Sequence, residues 1–265
     1  LCVLRVRRDV NRPGLERTWG LIVVLYYNIW RVVALATLEV TPPVTREPRV
    51  RPEGCADRAG DQRQEDPMFH TGKIGFPEHM RVAIVGAGPA GLGVARGLRD
   101  LAIPDVWVLE RGQIGQSFLD WPAETRLLTP SFPGNVFGVT DLNAISFDSS
   151  PGWSLRNEHP SGPAYAKYLE YAADAFGLNV QCGVDVAQID PVDAGFVVQT
   201  NHGAFKADFV IWACGHFGEP ADGALPGSEL GRHYATVKSW QNIAEEHVYV
   251  IGGYESGIDA AIGLA

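Results

Sequence analysis

From Arg81 onward the chain alternates short, wholly apolar runs with longer stretches whose apolar and small residues recur every three to four positions. "RVAIV" (81–85) has the unbroken apolar character of a strand buried on both faces. "AGLGVARGLRDL" (90–101) has the spacing of a helix laid on a sheet, and "DVWVLE" (105–110) reads as a second strand. A helix is predicted over 161–177, where Tyr165, Tyr168, Leu169, Ala172 and Phe176 share one face. "LNVQCG", "DVAQID" and "GFVVQT" are short strands separated by turn residues, and "FKADFVIWACG" (205–215) is a long one. "HVYVIGGYESGIDAAIGLA" (247–265) repeats the order strand, glycine turn, helix. A sheet built from such units belongs to the α/β class.

The first eighty residues carry no such pattern. Trp19–Leu38 is an apolar run of bilayer length, broken by Asn28 and Arg31. A central arginine costs about 2.5–3.5 kcal/mol on insertion scales, which argues against a membrane anchor. Residues 41–67 are rich in proline and charge and read as disordered. The only methionines are Met68 and Met80, the latter just ahead of the first strand. Residues 1–79 are therefore expected to be a non-domain extension, disordered or translated from a wrongly placed start.

Between the first strand and its helix lies Gly86-Ala87-Gly88-Pro89-Ala90-Gly91, a full G-x-G-x-x-G. Gly86 allows the tight turn. Gly88, without a side chain, lets a diphosphate approach the backbone. Gly91 lets helix and strand pack closely. The N–H groups of the helix start and its positive dipole end suit the phosphates. Glu110 lies nineteen residues after Gly91, at the tip of the neighbouring strand, where a carboxylate accepts from ribose hydroxyls. An acid there favours a free 2′-hydroxyl, as in FAD or NAD; Arg111 follows it without changing that preference. The second turn, about 165 residues later, holds Gly252, Gly253, Ser256 and Gly257. Tyr254 stands where the middle glycine would be, so phosphate binding is less secure there than at the first turn.

Composition narrows the function classes. The 265 residues are 46% hydrophobic and 20% charged, as expected of a globular protein, and the net charge of −9 argues against nucleic acid as a partner. Charge is uneven: residues 1–67 carry +2 and residues 68–265 carry −11. Cys2, Cys55, Cys182 and Cys214 form no C-x-x-C and no metal-ligand spacing, which speaks against a disulfide scaffold or a metal site and for a reducing, cytoplasmic setting.

These motifs resemble the two-dinucleotide-binding flavoproteins of the pyridine nucleotide–disulfide oxidoreductase superfamily. Within it they are most similar to the branch of flavin-containing monooxygenase-like and bacillithiol-disulfide-reductase-like proteins. The resemblance covers about residues 80–265 and rests on "VAIVGAGPAG", "VWVLERG", "GQSFLDWP" (115–122), "VIWACGHFGEP" and "VIGGYESGIDAA", in that order. It implies a Rossmann-like FAD-binding domain with a β-rich insert over 80–217. A linker and the start of a second, truncated NAD(P)-binding Rossmann unit would occupy 218–265. FAD would be held by the first turn, including Ala87, Pro89 and Ala90, and by Glu110 and Arg111. Gln116, Ser117, Val186, Ala213 and Gly215 join from the matching stretches. NAD(P)H would meet Gly252, Gly253, Ser256 and Gly257.

The activity so implied is hydride transfer from nicotinamide to flavin and on to an acceptor, a small molecule or small thiol, in a possible homodimer. No catalytic acid–base pair is assigned, because the flavin carries the chemistry. The chain departs from the family at Ala90, where the bacillithiol-type proteins carry cysteine, and at Cys214, which replaces the threonine of an A-T-G turn. It also lacks the monooxygenase signature F-x-G-x-x-x-H, which Leu230-Gly231-Arg232-His233 does not meet. Two alternatives stay open: an inactive nucleotide-binding fragment, and an NAD-dependent dehydrogenase without flavin.

Overall fold

In the computed structural model the described residues are 2–4, 22–24, 77–134, 139–215, 227, 230–244 and 247–265. The chain divides into two compact units, residues 28–76 and the remainder. The first of these lies outside the described residues, as does the predicted disorder of 41–67. The apolar run Trp19–Leu38 is likewise undescribed, except that Ile22–Val24 forms a short strand.

The strands are β1 (Cys2–Leu4), β2 (Ile22–Val24), β3 (His79–Val85), β4 (Val106–Glu110), β5 (Val180–Cys182), β6 (Val186–Val192), β7 (Gly195–Thr200) and β8 (Gly203–Trp212). The helices are α1 (Pro89–Asp100), α2 (Gln116–Leu119), α3 (Pro151–Leu155), α4 (Gly162–Ala175) and α5 (Glu255–Leu264). The main sheet runs β1-β2-β8-β3-β4-β5. Its β8, β3, β4 and β5 are mutually parallel, as crossovers through α1 and α4 require. The β6–β7 hairpin hangs on β8 by antiparallel pairing. Strand β8 therefore serves three ladders: Gly203–Ala207 pair with β7, Lys206–Trp212 run along β3, and Val210–Trp212 pair with β2 on the other edge. This is the Rossmann-like sheet with a β-rich insert that the sequence predicts.

The core explains the sequence pattern. Met80, Ala83 and Ile84 of β3 and Val108 and Leu109 of β4 are almost fully buried, as apolar strands covered on both faces require, with α1 and α4 packed on the face of Ile84 and Val108. Helix α4 buries Tyr165, Tyr168, Leu169, Ala172 and Ala173. Its tyrosines keep their hydroxyls satisfied: Tyr165 donates to the Asn143 carbonyl at 2.7 Å, and Tyr168 accepts from the Ile145 N–H at 2.9 Å. Ser161 caps the helix by accepting from the Ala164 N–H. Phe176, predicted on the helical face, stands at its C-terminal cap.

One predicted element does not form. Residues 247–251 were expected to be a strand, yet they have no regular structure, and Tyr249 and Ile251 are 90% and 79% exposed. An apolar run becomes a strand only when a neighbour pairs with its backbone, and among the described residues none does. Helix α5 does follow the glycine turn, but among the described residues no strand of a second Rossmann sheet accompanies it.

Candidate functional site

The first turn is shaped by three glycines, each used differently. Gly86 has φ +108, and a Cβ there would lie 2.5 Å from the Ala213 carbonyl oxygen, so no other residue fits. At Gly91 a Cβ would overlap the Gly86 carbonyl oxygen and sit 3.1 Å from its carbon. Gly88 instead faces open space, with no atom within 4 Å of the Cβ position. Two glycines thus lock the turn onto the sheet and helix, while the third leaves room above it. No side chain caps α1 and no acid occupies its first turn. Pro89 takes the first helical position, where a missing N–H costs nothing. The N–H groups of Ala90 and Gly91 are left to an anionic partner or to water.

Glu110 is turned onto this turn. Its Oε2 accepts from the Ala87 N–H and its Oε1 from the Gly112 N–H, each at 2.8 Å. A carboxylate offers about four acceptor positions, so both oxygens retain capacity for a diol. Arg111 is exposed beside it. The neighbouring stretches converge on the same place. Ala213 donates its N–H to the Val85 carbonyl at 2.8 Å, and Gly215, at φ +71, continues past it. The β5–β6 connection packs on the end of β4 through a bond from the Val184 N–H to the Glu110 carbonyl, which brings Val186 to the start of the next strand. The loop after β4 is tied to the turn by a bond from the Gly115 N–H to the Ala87 carbonyl. Gln116 and Ser117 lie there on the short helix α2. The Gln116 side chain is engaged locally, accepting from the Gln113 N–H and donating to Asp120. Ser117 is exposed.

The second turn reproduces the backbone of the first. Gly252 has φ +107, and a Cβ at Gly257 would overlap the Gly252 carbonyl oxygen, the relation Gly91 bears to Gly86. Tyr254 opens α5 with φ −92 and ψ −171, close to the −82 and −178 of Gly88. The difference lies in side chains: Tyr254 at the cap, Glu255 in the first helical turn and Ser256 behind it. A carboxylate at that end of a helix opposes an incoming anion, so this turn suits an anion less well than the first. Gly253 is open, with nothing near its Cβ position.

Residues 83–265 match the family described as Pyridine nucleotide-disulphide oxidoreductase. The chain belongs to this family. Among curated relatives, a Baeyer-Villiger monooxygenase of Streptomyces coelicolor is 32% identical over 193 residues, covering 68% of this chain and 35% of the relative. A bacilliredoxin reductase of Bacillus subtilis is 24% identical over 184 residues, covering 69% and 53%. Among solved structures, the bacillithiol disulfide reductase of Staphylococcus aureus superposes with a TM-score of 0.60 at 22% identity, over 70% of this chain and 54% of that one. The chain thus spans about a third to a half of the length of these relatives.

The two cysteines whose side chains are described, Cys182 and Cys214, are held toward the thiol form. Cys214, just past the end of β8, is a free thiol on an exposed residue whose sulfur lies against the Val85 carbonyl; desolvation of the sulfur by its neighbours and then the Glu110 carboxylate push its pKa up to about 11, with Arg111 opposing. Burial and Glu110 likewise raise Cys182. Neither is a thiolate at neutral pH. His233 works as a cap, its Nδ1 accepting from the Ala235 N–H at 3.2 Å. Among the described residues no helix is long and apolar enough to cross a membrane, and no cluster of His, Cys, Asp or Glu could hold a metal.

Sequence reasoning passed over the residues that join the two turns. Thr125, Tyr234 and Asp259 meet through their side-chain oxygens at 2.7–2.9 Å. Glu124 holds the adjoining segment, accepting from the Ser239 hydroxyl at 2.5 Å and the Trp240 N–H at 3.0 Å. Each of these is an ordinary polar residue in a polar stretch. The one available signal was Asp259, an acid within an apolar, alanine-rich helix.

Proposed function

We propose that this protein is an FAD-dependent NAD(P)H oxidoreductase in which FAD occupies the turn at Gly86–Gly91. The carrying observation is the Glu110 carboxylate lying against that turn, beside the open space over Gly88. Family membership supports the reading, and the relatives' names include both a monooxygenase and a disulfide-active reductase. The N–H groups of Ala90 and Gly91 meet the diphosphate, and Glu110 accepts from the adenosine ribose. Val186, Ala213 and Gly215 border the cofactor, Arg111 flanks its charge, and Gln116 and Ser117 line the far side. Bound there, FAD supplies a two-electron acceptor for hydride. The nicotinamide nucleotide is received at Gly252, Gly253, Ser256 and Gly257, with Glu255 keeping its affinity moderate.

The electrons then pass to a small-molecule or small-disulfide acceptor. Desolvation and the Glu110 charge hold Cys214 and Cys182 toward the thiol form, and neither is assigned a role in that step. The test is direct. The purified protein should be yellow, and its flavin should bleach anaerobically on adding NADH or NADPH. Glu110→Ala removes a charged acceptor from the ribose, worth about 1.5–3 kcal/mol, so FAD affinity should fall by roughly 10–100-fold. Retention of tight NAD with no bound flavin would instead establish a dehydrogenase of one nucleotide.

A further inference from the structure

The turn at Gly252 is connected to the turn at Gly86 by a path of specific contacts. It begins at the Ala87 carbonyl, which accepts from the Gly115 N–H at the start of α2. Residues 120–125 follow α2 directly. There Asp120 accepts from Lys238 Nζ, the Ala123 N–H donates to the Lys238 carbonyl, and Glu124 holds Ser239 and Trp240. Thr125, only 7% exposed, then donates to Asp259 Oδ2 at 2.7 Å, and Tyr234 donates to the same oxygen at 2.8 Å. Asp259 stands on α5, two residues beyond Gly257. Among its described attachments α5 has otherwise an apolar patch, Ala260 and Leu264 against Val237 and Trp240. Its Ile258 and Ile262 are exposed.

The chemistry of the node is directional. Three oxygens lie within 2.9 Å of one another, but the two hydroxyls bring two protons. Either both hydroxyls donate to the Asp259 carboxylate or one donates to the other, which donates to Asp259; both arrangements need the carboxylate as final acceptor and tie the three side chains together. Apolar side chains would fill the space equally well, without holding one orientation. Burial pushes the Tyr234 phenol up to about 12, so it stays a donor throughout the neutral range.

We propose that Thr125, Tyr234 and Asp259 form a positioning latch that fixes α5, and with it the nicotinamide-binding turn, against the segment leading from the flavin-binding turn. The three are positioning residues that touch neither cofactor. Their role in hydride transfer rests on the function proposed above; the latch itself does not.

Two measurements on the full protein test the proposal. In Tyr234→Phe and Thr125→Val, hydrogen–deuterium exchange across 255–264 should quicken about 5–10-fold, the loss expected for one hydrogen bond, while exchange across 79–110 stays unchanged. Thr125→Ser, which keeps the hydroxyl, should restore wild-type exchange. In the same variants the limiting rate of anaerobic flavin reduction should fall about tenfold or more, as for sub-ångström misplacement of reacting partners, with FAD content and flavin potential unaltered. Unchanged exchange in α5 would overturn the latch. Faster exchange with an unchanged reduction rate would overturn its positioning role. A wild-type protein with no reducible flavin would refute the proposed function and the catalytic half of this inference together, while the exchange data would still decide whether the latch exists.

Discussion

Helix α1 contains two glycines that should respond in opposite directions to the same substitution. Gly97 is exposed in the helix interior, with nothing within 4 Å of its Cβ position. Gly97→Ala therefore collects the helix-propensity gain alone, about 0.5–1 kcal/mol of added stability. Gly91→Ala gains the same propensity but drives a methyl group into the Gly86 carbonyl. That carbonyl belongs to a turn fixed on both sides. The Gly86 N–H is bonded to Leu109 at 2.8 Å, and Ala213 closes over Gly86. Overpacking costs about 1–3 kcal/mol where side chains can give way; a pinned backbone sets the upper end. Subtracting the propensity gain leaves a net loss of about 2 kcal/mol, or about 4–8 °C in Tm for a domain of this size. Urea or thermal unfolding of both variants beside the wild type reads the difference. Two variants shifting the same way, or a Gly91→Ala protein as stable as the wild type, would refute the claim that this glycine is there for close packing.

Asp141, 2% exposed, accepts from the Asn143 and Gly152 N–H groups and the Ser150 hydroxyl. Asp141→Ala leaves two buried donors and one half-buried one unsatisfied and should cost roughly 3 kcal/mol or more by chemical denaturation. Tyr165→Phe removes the donor to the Asn143 carbonyl, and the same assay should show a loss of about 1–2 kcal/mol. With a pKa raised to about 11, Cys214 is thiol over the whole neutral range. Its alkylation rate, followed by peptide mass spectrometry, should climb about tenfold per pH unit without levelling below pH 10; a plateau near pH 8.5 would contradict the claim that desolvation of the sulfur and the Glu110 carboxylate hold it as a thiol. Glu124→Ala frees the Ser239 hydroxyl and the Trp240 N–H. It should raise protease sensitivity in 234–243 and leave β3 and β4 protected.

The parts legible in the sequence were those whose cause is local. "RVAIV" forms a strand because an apolar run of that length has one use beside a glycine turn. The role of Gly86 follows from a φ that only glycine adopts freely, and Glu110 follows from strand length. The resemblance to a flavoprotein family carried the rest of the first site, since nothing in the spacing of Val186 or Ala213 points to a ligand. Tyr249 and Ile251 show the limit. Their run reads as a strand, but a strand is a property of two segments, and the pairing partner is not in the local pattern. The trio Thr125, Tyr234 and Asp259 was illegible for the same reason. Contacts spanning 109 and 134 positions leave no periodic trace.

Because one continuous strand, β8, carries both the hairpin ladder and the central ladder, tolerance to length change is sharply divided along the chain. Lengthening the β6–β7 corner at Asp193–Ala194 would add a protrusion and disturb nothing beyond it. Losing a single residue between Ala207 and Trp212 would instead turn Val210 from the interior to the opposite face and drag Ala213 off the glycine it covers. Grafts, tags and natural indels are to be sought at that corner, and never within the last half of β8, Ala207–Trp212.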